Sequence, residues 1–301
     1  MTFTQKSVVV ATRRNTLPRM DDRLRPLWDF DDLDVTDRRF REQLTREDSD
    51  AGRAEVLTQL ARIHGLRGDF DPGDDLIHDA TLLAGTSIVA LARIDLERGR
   101  LRRSSGDRES ALPLFESAFA IALEAEQRFL AADAAHMAAL AAPDRGGFVA
   151  WTERGIGLAG EHADASYWLG PLLNNLGWEY YGAEEYAQAL EVFERALAAR
   201  ERAPEDQEPI ALARYAVGKV LRALGRAEEA VPLLEQAVAS AEEAGHPDGW
   251  YHEELAEEYA AGGRLEEAGD QAKRAIPLLE ADDPSFVEDA ARRARLETLA
   301  G

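Results

Sequence analysis

The chain has 301 residues, of which 45% are hydrophobic and 31% charged, so it can bury a core and does not have the composition of a disordered chain. Its 57 acidic and 35 basic residues give a net charge of -22, which argues against nucleic acid or an anionic membrane surface as a partner. It has no cysteine, which excludes disulfides, thiolate catalysis and zinc–cysteine sites and favours a cytoplasmic protein.

Residues 1–35 are predicted to form an N-terminal extension that is partly extended or loosely ordered. Its apolar run, Val8 to Ala11, is too short for a secretory signal. Further on, Trp28 and Phe30 stand among acidic residues. We interpret these two aromatic residues as a cover for the exposed apolar face of the first helix pair, with a self-binding or partner-binding motif as the alternative. The first twenty residues are basic and contain no acid; their cations are Lys6, Arg13, Arg14 and Arg19.

Residues 36–283 are predicted to form a helical repeat domain. Ala, Leu, Glu and Arg dominate, and short clusters rich in Gly, Pro, Asp and Ser interrupt them. Because each interruption is short, successive helices are expected to pack as antiparallel hairpins. Residues 284–301 are predicted to form a C-terminal capping helix.

An internal repeat runs through this domain. Three small residues, separated by twelve and then by seven positions, recur six times at offsets of 38 to 41 residues. Small residues at these positions let two helices approach closely. The six triplets are Ala61, Gly73, Ala80; Gly99, Ala111, Ala118; Ala138, Ala150, Gly157; Gly177, Ala189, Ala196; Gly218, Ala230, Ala237; and Ala256, Ala268, Ala275.

The fourth unit resembles the tetratricopeptide repeat (TPR) family, and the resemblance extends over about residues 54–280. It implies an all-α, right-handed superhelical solenoid of about six helical hairpins that binds proteins or peptides in a concave groove. Stand-alone bacterial TPR proteins of about 300 residues are also similar, and they imply no particular chemistry. Polar residues stand at apolar positions of the second unit (Asp95, Arg98, Arg102) and of the third (Arg154). The matching residues are Leu173, Leu176, Gly177, Tyr180, Ala189, Phe193 and Ala196.

In such arrays the first helix of each pair lines the groove, and this defines the candidate ligand- or peptide-binding residues. Asn174, Trp178 and Tyr181 share one helical face, where an amide beside two aromatic rings suits a peptide. The alternative is that the two rings belong to the core. The lining positions hold more cations than acids. This indicates either an electropositive groove, which would suit an acidic or C-terminal segment as partner, or an ordinary scatter of surface arginines. The candidates are Arg100, His136, Asn174, Asn175, Trp178, Tyr181, Tyr215, Lys219, Arg222, Trp250 and Glu253.

No catalytic residue, metal site or cofactor is predicted, because the sequence has no HExxH, GxSxG, P-loop or GxGxxG motif. His136 follows Asp133 by three residues, close enough on a helix for the carboxylate to orient the imidazole. The sequence therefore predicts a non-enzymatic binding scaffold. The alternative is a sensor or carrier domain that binds a small anionic ligand between Arg100, His136 and Asn174.

Overall fold

The computed structural model describes residues 22–202 and 207–301, and within them it contains helices and no strand. The all-α prediction is confirmed. The chain divides into two compact units, with the boundary between Leu172 and Leu173. The predicted basic segment 1–20 lies outside the described residues.

The first unit contains one leading helix followed by three helix pairs. A short 3₁₀ turn, Arg25–Leu27, comes before the leading helix, and another, Ala163–Trp168, follows the third pair. The helices are α1 (Leu33–Arg46), α2 and α3 (Asp50–Arg67, Phe70–Ala84), α4 and α5 (Ile88–Ser104, Arg108–Glu124), and α6 and α7 (Arg128–Ala141, Arg145–Glu161).

The second unit also contains three helix pairs, and the first helix of these pairs carries the boundary between the units. Two shorter helices follow the last pair, so residues 284–301 form two helices where one was predicted. The helices are α8 and α9 (Leu169–Gly182, Tyr186–Glu201), α10 and α11 (Gln207–Ala223, Ala227–Glu243), α12 and α13 (Gly249–Ala261, Leu265–Asp282), α14 (Pro284–Glu288) and α15 (Ala290–Ala300).

Side-chain caps fix where the helices begin. The carboxylate of Asp107 accepts a hydrogen bond from Ser110 N at 3.1 Å, and the carboxylate of Asp144 accepts one from Gly147 N at 2.8 Å. Each bond satisfies a backbone donor that the first turn of a helix leaves unpaired. The acidic residues in the short connections therefore set the starts of α5 and α7.

Small residues allow the two helices of a pair to approach closely. A Cβ atom on Gly99 would lie 2.5 Å from Phe115 Cε1, and one on Gly177 would lie 2.5 Å from Phe193 Cε1. Both phenylalanine rings are completely buried. The predicted triplets are buried in five of the six units, which confirms the spacing there.

The prediction for the third unit is wrong. Ala150 and Gly157 are exposed, and the buried small positions of α7 are Thr152, Gly155 and Ala159. The reason is a shorter connection: α7 begins seven residues after Ala138, whereas α5 begins nine residues after Gly99. The buried face of α7 is therefore shifted by two residues from the predicted one. Arg154 is exposed as a result, with its guanidinium 4.6 Å from the centre of the Trp151 ring.

The polar residues that depart from the family pattern in the second unit make specific contacts. Arg102 donates two hydrogen bonds of 2.9 Å to Asp74 on α3, and Ser117 Oγ on α5 donates one of 2.7 Å to Asp95. These bonds join α4 to α3 and to α5. The charged residues thus connect neighbouring helices where apolar residues were expected.

Candidate functional site

The predicted site residues of α8 share one partly exposed face. Asn174, Asn175, Trp178 and Tyr181 are all half-buried, and the Trp178 and Tyr181 ring centroids lie 5.5 Å apart in an edge-to-face arrangement. Within the described residues, the side-chain amide of Asn174 has no hydrogen-bond partner. This face therefore presents an amide that can still donate and accept hydrogen bonds next to two aromatic rings.

Trp178 belongs both to the core and to the surface. Its ring centroid lies 5.0 Å from that of Phe193, which is completely buried, and 6.3 Å from that of Tyr215 on α10. Tyr215 in turn lies 4.8 Å from Tyr251 on α12. A row of aromatic rings thus connects the first helices of the three pairs of the second unit, and Trp178 keeps part of its surface exposed.

Lys219 and Arg222 on α10 both form ion pairs with Glu254 on α12. Burial tends to raise the pKa of the Glu254 carboxyl, but the two cations outweigh this effect and hold the pKa below its usual value. Burial acts to lower the pKa of Lys219, whereas Tyr215 and Glu254 raise it above its usual value. Burial also raises the pKa of Tyr215 to about 12. Near neutral pH, Tyr215, Lys219 and Arg222 are therefore protonated and Glu254 is ionised.

Trp250 and Glu253 lie on α12. Trp250 is half-buried, and its ring packs against the core of the second unit. Glu253 is buried and accepts a hydrogen bond of 2.7 Å from Arg292 Nε on α15, and Arg292 Nη1 donates one of 2.8 Å to Asp283. Glu253 is thus engaged by the C-terminal helix, which gives it a structural role.

Arg100 and His136 lie in the first unit. Arg100 is buried and pairs with Glu97 and Asp133, so the carboxylate predicted to orient His136 also neutralises an arginine. The His136 ring centroid is 5.3 Å from that of Trp168, and burial lowers the pKa of His136 to about 4. The pocket predicted from Arg100, His136 and Asn174 stays a prediction.

The prediction of a basic lining face did not anticipate the carboxylate partners. Of the cations discussed above, Arg100, Lys219 and Arg222 each contact at least one carboxylate. Arg93 pairs with Asp22 and Glu55 in the same way. Sequence reasoning missed Glu55, Asp133 and Glu254 as partners because they lie on neighbouring first helices, a relation that shows only in the folded chain. Glu97 is three residues before Arg100 on α4, and Asp22 belongs to the segment before α1. The acids are Asp22, Glu55, Glu97, Asp133 and Glu254.

Two family models, both described as tetratricopeptide repeat, match residues 172–203 and 209–281. The resemblance to the tetratricopeptide repeat family that the fourth unit predicts is therefore confirmed over those residues. Within residues 22–202 and 207–301, no helix is long and apolar enough to cross a membrane, and no group of three or more His, Asp or Glu side chains is arranged to hold a metal ion. No curated protein matches the sequence.

Solved structures share the fold at low sequence identity. The apo form of RapI has a TM-score of 0.70 and 14% identity over 89% of this chain and 75% of that chain. A signal transduction ATPase with numerous domains and a TPR sensor, from Pyrococcus horikoshii, has the same TM-score and identity, and the match spans 42% of that longer chain. BtubC from P. vanneervenii has a TM-score of 0.53 and 19% identity over 76% of this chain and 94% of that one. These similarities establish the fold alone.

Proposed function

We propose that the chain is a non-enzymatic scaffold that binds a protein or peptide on the face of the second unit carrying Asn174, Trp178 and Tyr181. One observation supports this proposal most directly: the half-buried Asn174 amide has no hydrogen-bond partner within the described residues and lies on the helix face of Trp178. An amide in this setting can pair with a peptide backbone, and the neighbouring rings can cover apolar side chains. TPR arrays are in general protein-interaction modules, which agrees with this use.

The charged residues of α10 and α12 affect how strongly an acidic partner would bind. Lys219 and Arg222 already share Glu254, so an acidic segment would have to compete with that carboxylate for both cations. We therefore propose that amide and aromatic contacts contribute more to binding than surplus positive charge does. Affinity should then depend only weakly on salt concentration.

The test is to select peptides from a random displayed library against the full chain and to measure the affinity of one selected peptide for single variants. We expect Asn174→Ala to weaken binding about tenfold, as for one lost hydrogen bond, with an unchanged melting temperature. Gln188→Ala, an exposed amide on α9, is the matched control and should leave binding unchanged.

Trp178→Ala is the companion variant. Because the ring is partly exposed and also packs on Phe193, we expect it to lose at least about 2 kcal/mol of binding free energy and also a few kcal/mol of stability. Selected peptides that bind both alanine variants as tightly as they bind the wild type would remove this face from the proposal.

A second candidate function is a sensor or carrier domain for a small anionic ligand. Its support is the buried Trp168 Nε1 donor of the first unit, which has no hydrogen-bond partner among residues 22–202 and 207–301 and lies beside the His136 ring. An acceptor atom of a ligand would satisfy that donor. A rise in melting temperature with inorganic phosphate or a dicarboxylate, lost in Trp168→Phe, would favour this function over the scaffold.

A cytoplasmic location stays a prediction from the lack of cysteine.

A further inference from the structure

Residues 22–30 lie on the first helices of two pairs in the first unit. Asp22 pairs with Arg93 on α4, with Oδ2 3.4 Å from Arg93 Nη1. Trp28 Nε1 donates a hydrogen bond of 3.0 Å to Gln59 Oε1 on α2. Arg93 and Gln59 lie on α4 and α2, which are first helices of their pairs and are therefore predicted to line the groove. The chain's own N-terminal segment therefore occupies part of the predicted lining face of this unit.

Three side chains anchor the segment. Leu24 is 1% exposed and Trp28 is 8% exposed, and both belong to the hydrophobic cluster that includes Leu60 of α2 and Ile94 of α4. The carboxylate of Asp22 is buried against Arg93. A buried tryptophan, a buried leucine and a carboxylate held by arginine are the kind of anchors that bind a peptide to a protein surface.

Stacked arginines hold the outer side of the segment. The Arg25 guanidinium donates a hydrogen bond of 3.0 Å to the Tyr167 hydroxyl and lies 5.1 Å from the centre of that ring. Arg62 on α2 lies 4.9 Å from the centre of the Trp28 ring and 5.5 Å from that of Phe30. These cation–π contacts between side chains add to the attraction between the segment and the rest of the first unit.

Side chains alone connect the first part of the segment to α2 and α4. Within the described residues, the backbone of residues 22–28 makes no hydrogen bond to the backbone of α2 or α4. Its backbone–backbone bonds are internal, from Arg25 N to Asp22 O at 3.2 Å, from Leu27 N to Leu24 O at 3.1 Å and from Trp28 N to Arg25 O at 3.1 Å. Leu27 O also accepts a hydrogen bond of 3.4 Å from Arg39 Nη1 on α1. Release of residues 22–28 from α2 and α4 therefore breaks no hydrogen bond between two backbone groups. It breaks only bonds made by side chains, including those from Arg23 to Gly52 O and from Arg39 to Leu27 O.

We propose that residues 22–30 are a built-in ligand and that the surface beneath them, formed by Glu55, Gln59, Arg62, Arg93 and Tyr167, is a second peptide-recognition site. It recognises a segment that contains a 3₁₀ turn and carries a carboxylate, a leucine two residues later and a tryptophan six residues later. A partner peptide with this pattern competes with the chain's own segment. This site lies in the first unit and does not depend on the proposed function of the second.

The test uses the full chain and a fluorescein-labelled synthetic peptide of residues 20–31. The variant Asp22→Ala with Leu24→Ala weakens the attached segment and leaves the surface beneath it intact, so we expect it to bind the peptide at least about ten times more tightly than the wild type does. The double variant Asp79→Ala with Leu82→Ala, at exposed positions of α3, should bind as the wild type does. A peptide carrying Trp28→Ala should bind none of these chains.

Failure of the folded double variant to bind the peptide would overturn the proposal. A double variant that does not fold would also overturn it, because the segment would then belong to the folding core. Hydrogen exchange of the wild-type chain gives an independent test. We expect the hydrogen-bonded amides of Arg25, Leu27 and Trp28 to exchange at least about a hundred times faster than the interior amides of α2 and α4. Equal rates would show that the segment opens only on global unfolding, and would rule out displacement.

Discussion

Replacing Gly177 with alanine should destabilise the second unit, although alanine is the better helix former. The new Cβ atom would lie 2.5 Å from Cε1 and 2.7 Å from Cζ of Phe193. That ring is completely buried and packs edge-to-face on Trp178, with centroids 5.0 Å apart, so it has little room to move. Overpacking of this kind costs about 1–3 kcal/mol, and the change from glycine to alanine in a helix returns about 0.5–1 kcal/mol. The expected net loss of stability is therefore up to about 2.5 kcal/mol.

Gly157→Ala is the matched control for helix propensity. Gly157 is exposed within α7, and a Cβ atom there would have no atom within 4 Å. The same substitution should therefore stabilise the first unit by about 0.5–1 kcal/mol. Urea titrations followed by far-UV circular dichroism measure both changes as shifts of the unfolding midpoint. A higher midpoint for Gly177→Ala would refute the close approach of α8 and Phe193.

Three further outcomes follow from the burial and the charges. Gly155→Leu should lower the melting temperature strongly, because even a Cβ atom on Gly155 would lie 2.8 Å from a buried leucine, and Gly157→Leu should hardly change it. A larger loss for Gly157→Leu than for Gly155→Leu would support the buried positions predicted from the sequence instead. Glu254→Gln should lower the free energy of unfolding near pH 7 by about 2–3 kcal/mol, since two cations lose their carboxylate. Urea titrations should show this difference shrinking in acid, where Glu254, with its lowered pKa, becomes protonated in the wild type as well; a constant difference would contradict the ion pairs. The pKa of His136 is lowered to about 4, so stability should fall by up to about 3 kcal/mol as the pH drops from about 6.5 to about 4, because only the unfolded imidazole takes up a proton there. His136→Gln should remove this part of the pH dependence, and an unchanged profile would contradict it.

The helix pairs could be predicted from the sequence because close approach of two backbones requires small residues at fixed spacing. Gly99 and Gly177, each against a buried phenylalanine, show that requirement directly. The third unit misled the prediction because a search for small residues finds alanine or glycine by composition alone. Ala150 satisfied the spacing there, although the shorter connection before α7 brings Thr152 and Gly155 to the buried face.

The site could be predicted only in part. The helical period correctly placed Asn174, Trp178 and Tyr181 on one face, because that relation is local. The partner of Lys219 was not predicted, since Glu254 is 35 residues away and belongs to the next first helix. A search for opposite charges about one repeat apart would have detected this pair.

Ion pairs between successive first helices also make the repeats non-interchangeable. The helices joined by these pairs, α2 with α4, α4 with α6 and α10 with α12, carry charges that match the neighbour they have. A different neighbour there would leave buried charges without counterions, which is strongly destabilising. Duplication or deletion of a single helix pair should therefore be tolerated far less well here than in arrays of identical repeats. The order of the hairpins is thus encoded in their charges. The pairs that encode it are Arg93 with Glu55, Arg100 with Asp133, Lys219 and Arg222 with Glu254, and Arg292 with Glu253.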